Sequence, residues 1–519
     1  MTISDPASAN EAGPRLLRHW IDRAAARTPD KPFIISADGG RAVTFSQMRD
    51  LTRRMAAFLQ TQGIGVNDRV ALLSNNSIEH LLCYFGVIAY GAAVCTVHVE
   101  MNRNQLDNIF ARLRPRLVLY EAGLQLEELF TQVAAPRFTL GAWDQPSSDT
   151  FFGAIARCEP GDEFVPARPA DDAVILFTSG TSERPKGVIL SFRELLANAR
   201  PTADSFGMTS DDRIYDFRSF NWCSAQTLSA MPPLYCGATL ILGRRFSRSR
   251  FFDHIRQYGA TIATGNPTTL NLLVNGDDQI RRDDVPKLRF ITSSSAPLTV
   301  EEWWRFEERF AIPVAQGYGS SETGWIAAVT GDKRRHGTVG RPLAYHALAI
   351  VDAEGRQLRE GEIGHVELGG FPDNDYRYLA DDGTVKVNSR GRIRTGDLGL
   401  LDADGFLRLT GREKELIIRG GVNISPLEID SVLMRCPEVI EAATVGVPDQ
   451  TYGEEVVAYV VLRPGTAMGA DEILSHCTTV LPAFKAPKRI LVSASLPKNE
   501  RGKLDRKALV ERWINTRSA

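Results

Sequence analysis

Residues 177–187 read Phe177-Thr178-Ser179-Gly180-Thr181-Ser182-Glu183-Arg184-Pro185-Lys186-Gly187, and they follow the apolar, β-rich run AVILFTS and precede the helical run FRELLANAR. Hydroxyls, glycines and a single lysine are crowded into one strand-to-helix connection. Polyphosphate binding asks for these groups: backbone N–H groups free to converge, hydroxyl donors, and a point cation, with glycine permitting close approach. The Walker loop places Gly before its Lys and Ser or Thr after it, whereas here Pro185 precedes Lys186 and Gly187 follows. A short Ser/Thr/Gly cluster is ordinarily a solvated turn; the length and order of this string point instead to a phosphate loop of a different type.

Outward from the loop, β-rich and helical runs alternate at short intervals: RIYDF, SAQTLSAMPPLY, ATLILG, RSRFFDHIRQYG, ATIATG, PTTLNLLV, LRFITS, TVEEWWRFEERF and IPVAQGYG. Residues 43–120 show the same alternation, so the sequence predicts an α/β fold with a large N-terminal body of mixed sheets and helices. Residues 141–172, rich in Pro, Gly, Asp and Ser, read as a connector within it. Residues 398–410, LGLLDADGFLRLT, predict a hairpin turning at Asp-Ala-Asp-Gly, with Gly405 supplying the permissive backbone. After Arg412 the pattern restarts with ELIIRGGVNISPLEIDSVLMRC, ATVGVP and VVAYVVL. The expected division is therefore a body over 1–411 and a small α+β C-terminal lobe over 412–519.

Composition narrows the function classes. The 519 residues are 43% hydrophobic and 24% charged, an ordinary globular balance. With 61 Lys plus Arg against 63 Asp plus Glu, the net charge of −2 offers no broad cationic face for a nucleic-acid backbone, so no nucleic-acid partner is expected. The seven cysteines are widely spaced without a C-x-x-C pair, which suggests a reducing, cytoplasmic setting rather than a disulfide framework or a zinc site. The polar N-terminus lacks the apolar run of a signal peptide. Leu81–Val97 is apolar, but it is interrupted by Gly86 and Gly91 and reads as a buried helix turning into a buried strand rather than a membrane span.

Further motifs lie in fixed order along the chain. Gln316-Gly317-Tyr318-Gly319-Ser320-Ser321-Glu322-Thr323 follows a predicted strand, and Ser293-Ser294-Ser295-Ala296-Pro297 is a run of small residues. Arg394-Thr395-Gly396-Asp397 and Gly411-Arg412 bracket the hairpin, which should bring Asp397 and Arg412 together at its open end. Pro497-Lys498-Asn499-Glu500-Arg501-Gly502-Lys503-Leu504 lies near the C-terminus. Together with the loop at 177–187, these segments resemble the adenylate-forming superfamily of acyl-CoA synthetases, luciferases and peptide-synthetase adenylation domains, over nearly the whole chain. The stretches ILFTSGTSERPKGV and Gly331–Arg335 are most similar to carnitine/crotonobetaine-CoA ligases.

The resemblance implies an AMP-forming carboxylic acid:CoA ligase, an acid–thiol ligase that takes ATP, Mg²⁺, CoA and a small carboxylic acid and passes through an acyl-adenylate. It implies a phosphate loop of Thr178, Ser179, Gly180, Thr181, Ser182 and Lys186, and an adenine wall of Ser295, Ala296 and Pro297. Gln316, Gly317, Tyr318, Gly319 and Ser321 belong to the nucleotide site: the Tyr318 ring can stack on adenine, and the Ser321 hydroxyl can donate to a phosphate oxygen. Glu322 is the expected Mg²⁺ ligand, a hard carboxylate oxygen for a hard cation. Asp397 and Arg412 would take the ribose hydroxyls; without the other motifs they would read equally well as a structural ion pair. Lys503 would span the acyl carboxylate and the α-phosphate, so Lys503, Glu322 and Lys186 are the expected catalytic groups. Lys414 matches the hinge about which a mobile lobe swings, and Gly420 and Gly421 match the loop that lines the CoA thiol tunnel. The acyl-pocket candidates are Trp222, Gln226, Thr264, Gly265, Gly317 and Trp325. A monomer or homodimer is expected.

Some positions depart from the family pattern. Glu183 stands where Gly is common and is expected to face solvent, since an inward carboxylate would repel a triphosphate. Ser182 and Ser321 replace threonines and keep the hydroxyl. The segment Asp216–Cys223 lacks the family's usual aromatic or His gate, leaving Asn221 or Trp222 to take that place. Arg218 reads either as a scaffold or surface residue or as a cation for a second carboxylate on the substrate. Loading of a carrier protein is the alternative outcome, amino-acid activation being disfavoured because WCSAQ (Trp222–Gln226) lacks an Asp for the α-amine; a luciferase-like oxygenase carries the same motifs.

Overall fold

The computed structural model describes residues 13–518 apart from 132, 163, 179–184, 278, 329–333, 370–374, 390–391 and 500–502. Among the described residues the chain forms four sheets. In the first, Pro32–Ser36, Thr239–Leu242, Arg213–Asp216, Ile262–Ala263, Phe290–Ser293 and Val314–Ser320 run parallel, neighbour to neighbour, and Gly324–Ala328 closes one side antiparallel. In the second, Arg137–Thr139, Leu117–Tyr120, Arg69–Leu73, Ala93–Val97 and Asp172–Thr178 are parallel, and Lys186–Ser191 returns antiparallel to Asp172–Thr178. One apolar cluster joins both sheets through the helices Pro14–Arg27, Phe45–Thr61 and Ile78–Tyr90. These strands read as continuous Val/Ile/Leu runs because sheets of parallel strands are covered on both faces.

The helix Ile78–Tyr90 is buried along its whole length. It is capped by Ser77, whose hydroxyl accepts from His80 N–H, and stopped by Gly91 at φ +106°, after which the chain enters the strand Ala93–Val97. The apolar run 81–97 is therefore a buried helix, turn and strand, and no described helix is long and apolar enough to cross a membrane. The connector at 141–172 holds more order than its composition suggests. The helix Phe151–Ala156, capped by Thr150, buries Phe151, Phe152 and Ile155, because three apolar side chains in one and a half turns suffice to seat a short helix on the core.

The third sheet orders Ala347–Val351, Gly364–Gly369, Arg392–Leu401 and Leu407–Arg412. Its last two strands are the expected hairpin, turned by Gly405 at φ +77° with its N–H on Asp402 O at 2.8 Å. The register sets Asp397 opposite Arg412. The strand ends at Arg412, a short 3₁₀ turn Glu413–Glu415 follows, and from Ile417 the chain builds a separate sheet of Val422–Ile424, Ile417–Arg419, Gly453–Leu462, Val439–Asp449 and Arg489–Val492. This last sheet has its own apolar cores with the helices Pro426–Leu433, Ala470–Val480 and Arg506–Ser518.

Candidate active site

Ligands of open α/β sheets bind outside the carboxyl ends of the strands, where side chains and free backbone N–H groups converge. Both parallel sheets present such ends to one cavity of about 720 Å³. Its lining comes from the residues just after successive strands: Asn75 and Asn76 after Arg69–Leu73, His98 after Ala93–Val97, and Arg218 after Arg213–Asp216. Arg244 and Arg245 follow Thr239–Leu242, and Ser294 and Ser295 follow Phe290–Ser293. Ser320 and Ser321 stand where Val314–Ser320 turns back, and Lys503 enters from the C-terminal region.

The hairpin of the opening motif, Asp172–Thr178 with Lys186–Ser191, contributes no described residue to this lining. Thr178 faces Lys186 across Asp172–Thr178 and Lys186–Ser191. Ser179, Gly180, Thr181, Ser182 and Glu183 lie outside the described residues. The Lys186 Nζ sits 3.5 Å from the centroid of the Tyr378 ring and 4.0 Å from Glu322 Oε1, so phosphate-loop lysine and expected metal ligand share one locale. The far end of the loop is held by Arg112, which is buried, donates to Pro185 O at 2.6 Å and stacks its guanidinium over Phe177. No motif marks Arg112. It is one arginine of a helix, and its function as an anchor exists only once Arg103–Leu113 brings it against Phe177 and Pro185.

The small-residue run and the second motif meet edge to edge, Ser293 pairing in register with Gln316. Ser295 has φ +72°, a conformation costly for any residue with a Cβ and characteristic of binding sites; Ala296 and Pro297 continue the loop towards the helix Val300–Phe310. Gly317 is required by its neighbour: a Cβ there would lie 2.2 Å from Cζ3 of Trp325, and one at Gly319 would lie 2.2 Å from Gly324 O. Replacing Gly317 by Ala is expected to drive the buried Trp325 ring into the cavity, destabilising the fold by about 1–3 kcal/mol and raising KM for the acid; an unchanged melting temperature with unchanged KM would show that the ring relaxes elsewhere. Behind Trp325, burial pulls His346 down to about 4, so this wall carries no charge at neutral pH.

Tyr318, Asp397 and Arg412 form one group. The Tyr318 hydroxyl donates to Asp397 Oδ2 at 2.5 Å, and Arg412 Nε lies 2.8 Å from Asp397 Oδ1. Burial, with the Asp397 charge beside it, pushes the Tyr318 hydroxyl well above its usual range, so it stays a donor. Tyr318 is 8% exposed and packs with Ile326, Val339 and Val366, so most of its ring belongs to the core. Lys414 is exposed in the 3₁₀ turn between the third and fourth sheets. Gly420 and Gly421, at φ +58° and +83°, form the exposed tip of the hairpin Ile417–Arg419/Val422–Ile424 and are not part of the cavity lining.

The acyl-pocket expectations divide. Trp222 and Trp325 line the cavity, Trp222 stacking on His98 at 4.8 Å between centroids. Gln226, Thr264 and Gly265 do not line it. Gln226 is fully buried at the start of a π-helical turn and donates to Phe220 O at 2.6 Å and Thr96 Oγ1 at 3.1 Å. Thr264 donates to Asp216 Oδ1 at 2.7 Å, and the backbone of Gly265 lies against Thr292 O. The Gln226 amide N–H groups and the Thr264 hydroxyl are thus taken by buried partners, while Gln226 Oε1 is buried with no hydrogen-bond partner among the described residues. Gly317 shapes the wall only by making room for Trp325.

Arg218 is no surface residue. It is 9% exposed, lines the cavity, and is held by the fully buried Asp216 through Nη2 at 2.6 Å and Nε at 3.1 Å, with Nη1 3.4 Å from Ser294 Oγ. Asn76 fixes this segment, its Nδ2 donating to Arg218 O at 2.8 Å and Gly243 O at 3.0 Å while its Oδ1 accepts from Phe220 N–H at 2.9 Å. Among the described residues the cavity lining thus gathers Arg218, paired with Asp216, Arg244, paired with Glu121, and Arg245 and Lys503, with Glu100 as its one carboxylate.

The same scaffold recurs in known proteins. The chain matches the family model of AMP-binding enzymes over residues 21–371 and that of the AMP-binding enzyme C-terminal domain over 428–503. It is 32% identical to the sulfoacetate–CoA ligase of Cupriavidus necator, covering 94% of this chain and 96% of that one. It is 29% identical to the oxalate–CoA ligase of Arabidopsis thaliana over 95% and 98%, and 28% identical to the crotonobetaine/carnitine–CoA ligase of Salmonella typhi over 96% and 99%. Among solved structures, ATP-bound MatB from Rhodopseudomonas palustris superposes with a TM-score of 0.86 at 26% identity, over 96% of this chain and 99% of that one. With the Asp397–Arg412 pair closed across its hairpin and Lys503 in the cavity lining, the chain belongs to the AMP-binding enzyme family and is an adenylate-forming acid:CoA ligase.

Proposed function

We propose that this ligase activates a short carboxylic acid bearing a second anionic group and transfers its acyl group to CoA. The observation that carries this reading is Arg218, a buried guanidinium that lines the cavity with one edge held by Asp216, beside Arg244, which pairs with Glu121, and Arg245 and Lys503. Asp216 occupies one edge of the guanidinium fork, and the remaining donors are oriented by that pairing, as bidentate recognition of an oxyanion requires. Sulfoacetate and oxalate, the acids named for two relatives, each carry two acidic groups. A betaine, named for other relatives, would bring a cation towards Arg218, which opposes its binding.

In the first half-reaction the acid's carboxylate attacks the α-phosphorus of ATP and pyrophosphate leaves. Charge grows on the transferring phosphoryl oxygens; in this reading Lys503, in the cavity lining, and Lys186, beside Glu322, meet it, with the hydroxyls of Ser320 and Ser321 at the cavity wall. Asp397 accepts the ribose hydroxyls, with Arg412 and Tyr318 fixing its two oxygens. Glu322, a hard carboxylate 4.0 Å from Lys186 Nζ, would hold Mg²⁺ together with the substrate's own phosphates. Bound there, the ion would supply neutralisation of phosphate charge. In the second half-reaction the lobe beyond Arg412 turns at Lys414, Lys503 withdraws, and Gly420 and Gly421 replace it, admitting the CoA thiol.

Mass spectrometry of products from ATP, Mg²⁺, CoA and a panel of mono-acids, dicarboxylates, sulfonated acids and betaines tests the reading; acyl-CoA from mono-acids or betaines in preference to doubly anionic acids would overturn it. Arg218→Met is expected to lower kcat/KM for the doubly anionic acid about 10- to 100-fold relative to its mono-acid analogue. An unchanged ratio would remove Arg218 from recognition.

A further inference from the structure

We propose that Arg305, assisted by Asn271, is a positioning residue: a docking clamp that seats the C-terminal sheet so that Lys503 reaches the cavity for acyl-adenylate formation. The inference rests on the roles proposed above for the two half-reactions. Arg305 lies on the helix Val300–Phe310, yet its guanidinium donates across the molecule, to Met434 O at 2.7 Å, Cys436 O at 3.0 Å and Val439 O at 2.8 Å. These carbonyls follow the helix Pro426–Leu433, whose last turn leaves carbonyls without intrahelical partners at the negative end of its dipole. One planar fork that meets three carbonyls fixes both position and orientation, which a lysine's point charge does not. One residue further, Asn271 Nδ2 donates to Ile440 O at 2.7 Å, and Arg435 pairs with Glu301 at 3.1 Å. Asn271 sits on Pro267–Val274, the helix that also supplies Thr268, Thr269 and Leu272 to the cavity wall.

From this pinned segment a short path leads to Lys503. Glu441, next to Ile440, holds Lys498 Nζ at 2.8 Å. Lys498 and Leu504 form a bridge, Asn499 N–H donates to Lys503 O at 2.8 Å, and Lys503 N–H donates to Asn499 Oδ1 at 3.1 Å. The cavity wall, segment 434–441 and the loop of Lys503 are thereby one hydrogen-bonded unit. Each clamp bond is one that water replaces when the lobe turns away, so the clamp biases the docked pose without locking it.

The test measures the half-reactions separately in the full-length enzyme: acid-dependent ATP–pyrophosphate exchange for adenylation, and thioester formation from supplied acyl-adenylate and CoA. Arg305→Met is expected to slow adenylation about tenfold or more while leaving the thioester step unchanged, with Arg305→Lys between. Equal loss in both steps, or no loss in adenylation, overturns the clamp. Should Arg305→Met fail to fold, Asn271→Leu and Lys498→Met, each removing one link, carry the same expectation of a selective adenylation defect. Lys503→Ala assayed alongside separates two kinds of failure. If it lowers both steps equally, the proposed roles fall and the clamp with them; if it spares the thioester step while the Arg305 variants do not, the clamp alone falls.

Discussion

Lys503→Ala is expected to reduce acyl-adenylate formation by about 10²- to 10³-fold, some 3–4 kcal/mol of transition-state stabilisation, while conversion of supplied acyl-adenylate to acyl-CoA persists. Lys503 lines the cavity beside Ser294, Ser295 and Ser321, and it is the cation that comes from beyond Arg412. The loop is held by main-chain contacts with Asn499, which the substitution leaves intact, so loss of the ammonium group should not unfold it. Pyrophosphate exchange and single-turnover thioester formation give the two rates. Parallel loss of both would assign Lys503 to substrate binding in general rather than to the first step.

Arg506→Met is expected to destabilise the C-terminal sheet by about 3–5 kcal/mol, because it strands a buried carboxylate. Asp430, 4% exposed, accepts from Arg506 Nη2 at 2.6 Å and from Thr444 N–H at 2.7 Å. Burial raises the Asp430 carboxyl above its usual range, opposed by the Arg506 charge. A carboxyl with a raised folded-state pKa binds more protons folded than unfolded, so it costs stability as pH rises out of the ordinary carboxylate range. Without Arg506 that pKa rises further. The deficit in the variant should therefore be full at neutral pH and shrink on acidification towards pH 4–5. Thermal unfolding of the two proteins across that range measures it; a deficit independent of pH would mean that Arg506 acts through packing alone. Because Arg506–Ser518 begins three residues after Lys503, the same variant is expected to weaken adenylation.

Much of the fold was legible because its signals are local. The alternation of apolar strands with amphipathic helices over 171–320 follows from the 2- and 3.6-residue periods. The pairing of Asp397 with Arg412 follows from one Asp-Ala-Asp-Gly turn, since a hairpin's register is set by its turn. The helix-then-strand reading of 81–97 needed only Gly91 as a stop. The connector 141–172 was harder, because six helical residues carry too short a period to be recognised.

By itself, then, the sequence determined the family and the order of the motifs, and with them the roles proposed for the loop hydroxyls, Lys186, Asp397 and Lys503. Only the tertiary structure decided what surrounds the substrate. It turned Gln226 and Thr264 away onto Phe220 and Asp216, set Arg218 into the cavity lining on a buried carboxylate, and gave Asn76, Arg112 and Arg305 their distant backbone partners. The physical reason is range. Arg305 and Met434 are 129 residues apart and Asn76 and Arg218 are 142, so their hydrogen bonds leave no trace in spacing or period. They arise only where separate strand ends and helix termini, each satisfied locally, are packed against one another and their remaining donors and acceptors must find partners.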